Sequence, residues 1–324
     1  MQKTYLSNLN DVSRMALGGG GIGQVWGKTD RKESVLTIQE AIESGITLID
    51  LAPSYGNGEA ERVFGEAFDG SVPDGVYVTT KYRLGSPKPE EVLPLLLQSL
   101  EESLERMKVS KVDLMILHGM VVPDGFDDPT RGTELSLFRN SVGDAFENLI
   151  GQGLIGGWGI TGIGVPSVLA EVLDDAAQNQ GPKPSVIQIV TNLLDSPGSM
   201  KMYDEPANPR RLIAGAKIAG MGVMGIRAVQ AGALTSQLDR PLADDHPERI
   251  DFKRAAPFRE IAARLGESPA SLAHRYALAA PGVDTVVLGV KNREELRECI
   301  AAETAGPLDL QTCTEIDLAV GRIS

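Results

Sequence analysis

Four side chains of this sequence carry proton-transfer chemistry at suggestive places. Asp50 ends the apolar run Thr47-Leu48-Ile49, Tyr55 follows five residues later, Lys81 closes Val76-Tyr77-Val78-Thr79-Thr80, and His118 closes Val112–Leu117. A phenol with an ordinary pKa near 10 is a poor acid at neutral pH unless something stabilises its phenolate. A lysine ammonium within about 4–6 Å does so, an aspartate keeps that lysine charged and oriented, and a histidine can share a hydrogen bond with the substrate oxygen. Singly, each residue has a duller explanation: a turn aspartate before Ala52-Pro53, a rim tyrosine, a solvated lysine, an interior histidine. Convergence of all four requires that the runs before them be neighbouring strands running in one direction.

The rest of the chain supplies such strands. Short apolar runs fall at 14–17, 47–50, 76–81, 112–118, 156–161, 186–192, 222–226 and 285–289, separated by helical periodicity over 34–44, 59–68, 90–107, 137–150, 167–177, 210–219, 268–280 and 294–302. Regular strand–helix alternation is the mark of a parallel sheet, and eight such units predict a single (β/α)8 barrel over residues 1–324. Three long connections, 119–136, 193–209 and 227–256, all follow strands. They therefore lie on the C-terminal face, where barrel enzymes place their chemistry.

Gly18-Gly19-Gly20-Gly21-Ile22-Gly23 satisfies the dinucleotide-binding pattern G-x-G-x-x-G after a strand, so a Rossmann domain has to be weighed. Two features oppose it. The loop runs on through Gln24–Asp30 before a helix begins, and Asp50 lies 32 residues past Gly18, where about 20 are expected for a ribose-binding acid.

Composition narrows the function class. With 42% hydrophobic and 23% charged residues the chain reads as globular, and a net charge of −13 offers no electrostatic footprint for nucleic acid or anionic membrane. Cys299 and Cys313 form neither a disulfide framework nor a metal-binding pair. No signal-peptide core or membrane-length apolar run is present. These features predict a cytoplasmic protein with a small-molecule partner and no metal.

The stretch Gly45-Ile46-Thr47-Leu48-Ile49-Asp50-Leu51-Ala52-Pro53-Ser54-Tyr55-Gly56, with Glu59-Ala60-Glu61 after it, resembles the aldo-keto reductase family. Thr79-Thr80-Lys81, Val112–His118, Gly157–Gly162 and Gln188–Asn192 follow in the family's order. The resemblance implies a barrel that binds NADP(H), or alternatively NAD(H), across its C-terminal face. It implies Tyr55 as general acid, tuned by Lys81 and Asp50, with His118 orienting a carbonyl.

The implied cofactor contacts are Gly20, Gly21, Ile22, Asp50, Thr161, Gly162, Gln188, Ile226, Arg227, Gly289, Lys291, Arg293, Glu295 and Glu298. Thr161-Gly162 replaces the family's Ser-Asn pair at the nicotinamide amide. Ile226 and Arg227 stand where an aromatic and a neutral hydroxyl are usual, so Arg227 is expected to clamp pyrophosphate as a bidentate donor. Lys291 and Arg293 favour a 2′-phosphate, against which Glu295 works by like-charge repulsion. Ile22, Trp26 and Met120, with Tyr55 and His118, are the expected substrate contacts. The function expected is interconversion of a carbonyl and an alcohol. Two alternatives are a catalytically weak cofactor-binding or regulatory subunit, and a lyase using Lys81 as a Schiff base, which Asp50 opposes.

Overall fold

In the computed structural model, which describes residues 1–322, the eight anticipated strands close into one parallel barrel. They are β1 (Met15–Gly18), β2 (Leu48–Asp50), β3 (Tyr77–Tyr82), β4 (Leu114–Leu117), β5 (Trp158–Thr161), β6 (Val186–Val190), β7 (Gly222–Ile226) and β8 (Thr285–Leu288). β8 returns to β1 in parallel, with Val286 opposite Met15, which closes the ring. The strands are short and almost continuously apolar because both faces are covered: the inner by side chains from across the barrel, the outer by helices. The last two residues of the expected 1–324 span, Ile323 and Ser324, lie outside the described residues.

The surrounding helices are α1 (Arg31–Glu43), α2 (Glu59–Phe68), α3 (Val92–Met107), α4 (Gly143–Gly151), α5 (Pro166–Gln178), α6 (Pro209–Ile218), α7 (Pro269–Ala279) and α8 (Arg293–Ala305). Their starts follow from local chemistry. Asp30 accepts the Glu33 amide (2.9 Å), Ser268 the Ser271 amide (3.0 Å) and Asn292 the Glu295 amide (2.9 Å), each satisfying a free N–H of the first turn. Proline opens α5, α6 and α7, where its missing N–H costs nothing.

Several elements were not anticipated. An antiparallel hairpin, Lys3–Leu6 with Leu9–Ser13, lies across the N-terminal end of the barrel, and its Leu6, Leu9 and Val12 join Ala16, Leu48, Ile116 and Met224 in an inner apolar cluster. The turn Ser7-Asn8 between two apolar-alternating runs was its signal. The connection 119–136 is not a plain loop: Met120–Val122 pairs in parallel with Gly132–Glu134. Further helices occupy Pro247–Arg254, Ala256–Leu265 and Leu310–Ala319. Among the described residues no helix is long and apolar enough to cross a membrane.

The glycine segment also departs from expectation, since Gly19–Ile22 forms one short helical turn before the loop to Asp30. Its composition is a packing requirement. A Cβ at Gly21 would stand 1.9 Å from the Val290 carbonyl oxygen, and one at Gly18 would stand 2.2 Å from that of Leu288. The turn thus lies directly on the chain leaving β8, and only glycine fits.

Candidate active site

Barrel closure brings the four residues to one mouth. Asp50 and Lys81 end or nearly end the adjacent strands β2 and β3, and both are buried. Lys81 Nζ lies 2.8 Å from Asp50 Oδ2 and donates to the Leu51 carbonyl at 2.7 Å. The other carboxylate oxygen, Oδ1, accepts from Thr79 Oγ1 (2.7 Å) and Gln188 Nε2 (2.8 Å). A buried charge pair is tolerated only with such complete satisfaction. Above it, Lys81 Nζ is 4.9 Å from the centre of the Tyr55 ring, and Tyr55 meets His118 edge to face with ring centres 5.7 Å apart.

These positions set the protonation states. Burial alone would lower the Lys81 ammonium, but Asp50 and Tyr55 outweigh it and hold its pKa above the ordinary value. A lysine held charged beside a carboxylate is a poor Schiff-base nucleophile, which removes support from the lyase alternative. Burial raises the Tyr55 pKa, and the downward pull of Lys81, opposed in part by Asp50, does not reverse this. The phenol is therefore a protonated donor at neutral pH. Burial, then the cations of Lys81 and Arg83, hold His118 well below the usual histidine range, so its imidazole is neutral.

Thr161, at the end of β5, is buried, and its hydroxyl oxygen has no hydrogen-bond partner among the described residues. A buried hydroxyl left open in this way suits a polar group arriving from outside the chain. The neighbouring position explains why the Ser-Asn pair is absent: a Cβ at Gly162 would meet Ile189 Cγ1 at 2.8 Å and the Gln188 carbonyl oxygen at 3.0 Å. Ile226 is half-buried at the end of β7, and the indole nitrogen of Trp26 lies against Gly20 and Gly289, which follow the adjacent strands β1 and β8.

Other expected contacts are differently employed. Ile22 is completely buried in the main core, so its side chain is not a rim contact. Met120 is also buried, held in the ladder with Gly132. Arg227 is not free to clamp a pyrophosphate: its guanidinium pairs with Glu248 Oε1 at 2.7 Å and donates to Gln230 Oε1 at 2.8 Å. Lys291 is tied to Asp239 (2.8 Å) and Glu295 (3.2 Å), and Arg293 to Glu33 (3.0 Å). Glu295 Oε2 additionally accepts the Lys291 amide (2.8 Å), and Glu298 accepts from Ser268 Oγ.

The sequence reading missed the partners in this polar layer. Asn192, Ser196, Ser199, Gln230, Glu248 and Asp251 fasten the connections after β6 and β7 to each other. Gln230 donates to Asp251 Oδ2 (2.7 Å), Ser196 Oγ to the same oxygen (2.6 Å), and Ser199 Oγ to Glu248 Oε1 (2.7 Å). It also missed Arg83, two residues beyond Lys81, whose spacing was the available signal.

The fold and the mouth together describe a single (β/α)8 barrel with a protonated tyrosine above a buried Asp–Lys pair. The chain belongs to the Aldo/keto reductase family, whose model matches residues 14–320. It is 26% identical over 312 residues to the uncharacterized oxidoreductase YqkF of Bacillus subtilis, covering 91% of this chain and 88% of that protein. Among solved structures it resembles a Bacillus halodurans aldo-keto reductase in its holo form, with a TM-score of 0.74, 21% identity and coverage of 100% of this chain and 98% of the other. An aldo-keto reductase from Klebsiella pneumoniae in complex with NADPH gives a TM-score of 0.69 at 20% identity, covering 100% and 97%.

Proposed function

We propose that the protein is an NAD(P)(H)-dependent oxidoreductase that interconverts a small aldehyde, ketone or sugar carbonyl with the corresponding alcohol, Tyr55 serving as general acid and base. The observation that carries this reading is the charged Lys81, 2.8 Å from Asp50 and 4.9 Å from the Tyr55 ring. When bound, the nicotinamide cofactor supplies or accepts the hydride. Thr161 and Gln188 are suited to its carboxamide, and the open hydroxyl of Thr161 is what argues that such a group fits. Gly289, Lys291, Arg293 and Glu295 would meet the adenosine end, where a 2′-phosphate would have to draw Lys291 and Arg293 away from their carboxylate partners Asp239, Glu295 and Glu33.

In reduction, the Tyr55 hydroxyl gives its proton to the carbonyl oxygen. The charge left on the phenolate faces the Lys81 ammonium, which Asp50 keeps in place, so the acid is stabilised after transfer rather than before it. Neutral His118 donates a hydrogen bond to the same oxygen without adding a competing charge. In oxidation the phenolate removes the alcohol proton.

The test is a panel of aldehydes, ketones and sugars with NADPH and NADH in both directions, applied to wild type and Tyr55→Phe. Loss of the donor proton should lower kcat by roughly 10²- to 10⁴-fold while cofactor affinity changes little. A variant keeping more than about a tenth of wild-type kcat on the best substrate would show that Tyr55 is not the acid. Cofactor binding without turnover of any substrate would instead support the regulatory-subunit alternative.

A further inference from the structure

We propose that Arg83 selects carbonyl substrates that carry a carboxylate, binding that group while the carbonyl oxygen sits between Tyr55 and His118. This inference rests on the oxidoreductase reading and concerns its substrate class. Arg83 leaves β3 immediately after Tyr82, whose carbonyl accepts the His118 amide at 2.8 Å, so Arg83 emerges level with His118 at the mouth. Its stem crosses Gly119: a Cβ placed there would be 3.7 Å from Arg83 Cγ. The next residue after His118 is therefore bare backbone over which the arginine lies.

The guanidinium is exposed, and among the described residues no carboxylate approaches within ion-pairing distance. Arg131, whose backbone also lies against Gly119, is engaged with Asp128 at 2.9 Å, in a chain of net charge −13. The charge of Arg83 is felt by both proton-transfer groups, since it depresses His118 and Tyr55 alike. An unpaired, planar, permanently charged fork beside the reacting oxygen is suited to bidentate recognition of a carboxylate. A neutral carbonyl compound would leave it solvated and gain nothing.

The test compares 4-carboxybenzaldehyde with methyl 4-formylbenzoate, and succinic semialdehyde with its methyl ester, as substrates of wild type, Arg83→Gln and Arg83→Lys. Wild type should favour each acid over its ester by about tenfold or more in kcat/KM. Arg83→Gln should abolish that preference through the KM of the acids, and Arg83→Lys should retain part of it. A second readout does not need turnover. The chain has only three histidines, so benzoate binding can be followed at the His118 imidazole by NMR, assigned with His118→Asn. Benzoate should move the wild-type signal and leave that of folded Arg83→Gln unchanged. An acid-to-ester ratio unaltered in Arg83→Gln, or an equal benzoate response in both proteins, overturns the inference. Absence of any carbonyl turnover would refute the oxidoreductase reading separately, and the benzoate titration would still decide the role of Arg83.

Discussion

Replacing Lys81 by methionine removes the ammonium and keeps most of the stem, so its effect separates charge from packing. At an effective dielectric of about 20, unit charges separated by the 4.9 Å between Nζ and the Tyr55 ring centre interact by roughly 3 kcal/mol, equivalent to about two pH units. The phenolate that acts as base in alcohol oxidation loses this support. Its proton becomes harder to remove, and the limb of kcat against pH for oxidation moves up by about two units. Asp50, left without its 2.8 Å partner, pushes the same way. Stranding a buried carboxylate also costs about 3–5 kcal/mol of stability, a drop in Tm on the order of 10 °C, so rates are measured near 15 °C after circular dichroism confirms folding. Asp50→Asn in the same background should restore part of the Tm and combine non-additively in rate, because the two side chains form one unit. If the oxidation limb of the folded single variant moves by less than about half a unit, Lys81 does not tune Tyr55, and the proton-transfer argument fails.

Three further outcomes follow from the structure. Glu248→Gln strands the buried Arg227 guanidinium and should lower Tm by several degrees at pH 7. Although burial alone would raise it, hydrogen bonds from Ser199 and Arg227 hold the Glu248 pKa at about 2. A depressed carboxylate stabilises the fold above its ordinary pKa of 4.5 and loses that contribution as pH falls towards 2, so the Tm gap between wild type and variant should narrow over that window; a constant gap would refute the pairing. For the cofactor, Lys291→Ala should lower the NADPH to NADH ratio of kcat/KM and Glu295→Gln should raise it, and changes below about twofold (~0.4 kcal/mol) in both would remove this segment from cofactor selection. Gly21→Ala, whose Cβ would stand 1.9 Å from the Val290 oxygen, should depress Tm measurably in the absence of any ligand, and an unchanged melting curve would show that the contact relaxes freely.

The strands and the tetrad were legible in the sequence for a local reason. A parallel strand covered on both faces must be an apolar run, and a polar residue at its C-terminal end must emerge at the mouth, so Asp50, Lys81 and His118 announced both the strand ends and their convergence. Alternation of those runs with helical periods determined the barrel. What tertiary structure alone decided was which charges remain available. Lys291 meets Asp239, 52 residues away, because β7 and β8 are neighbours, and Arg293 meets Glu33, 260 residues away, only because the closed ring sets β8 beside β1. Arg227, by its position a candidate phosphate clamp, is instead captured by Glu248 on a helix inside the following connection. Ile22, by its position a rim residue, is carried into the core by a glycine turn pressed onto the chain after β8. Arg83 is the converse case, a cation that closure leaves without an ion-pair partner among the described residues, beside His118. Periodicity reports which face of an element is buried, but a charge finds its partner through distances set by the whole ring, and no local stretch of sequence contains those distances.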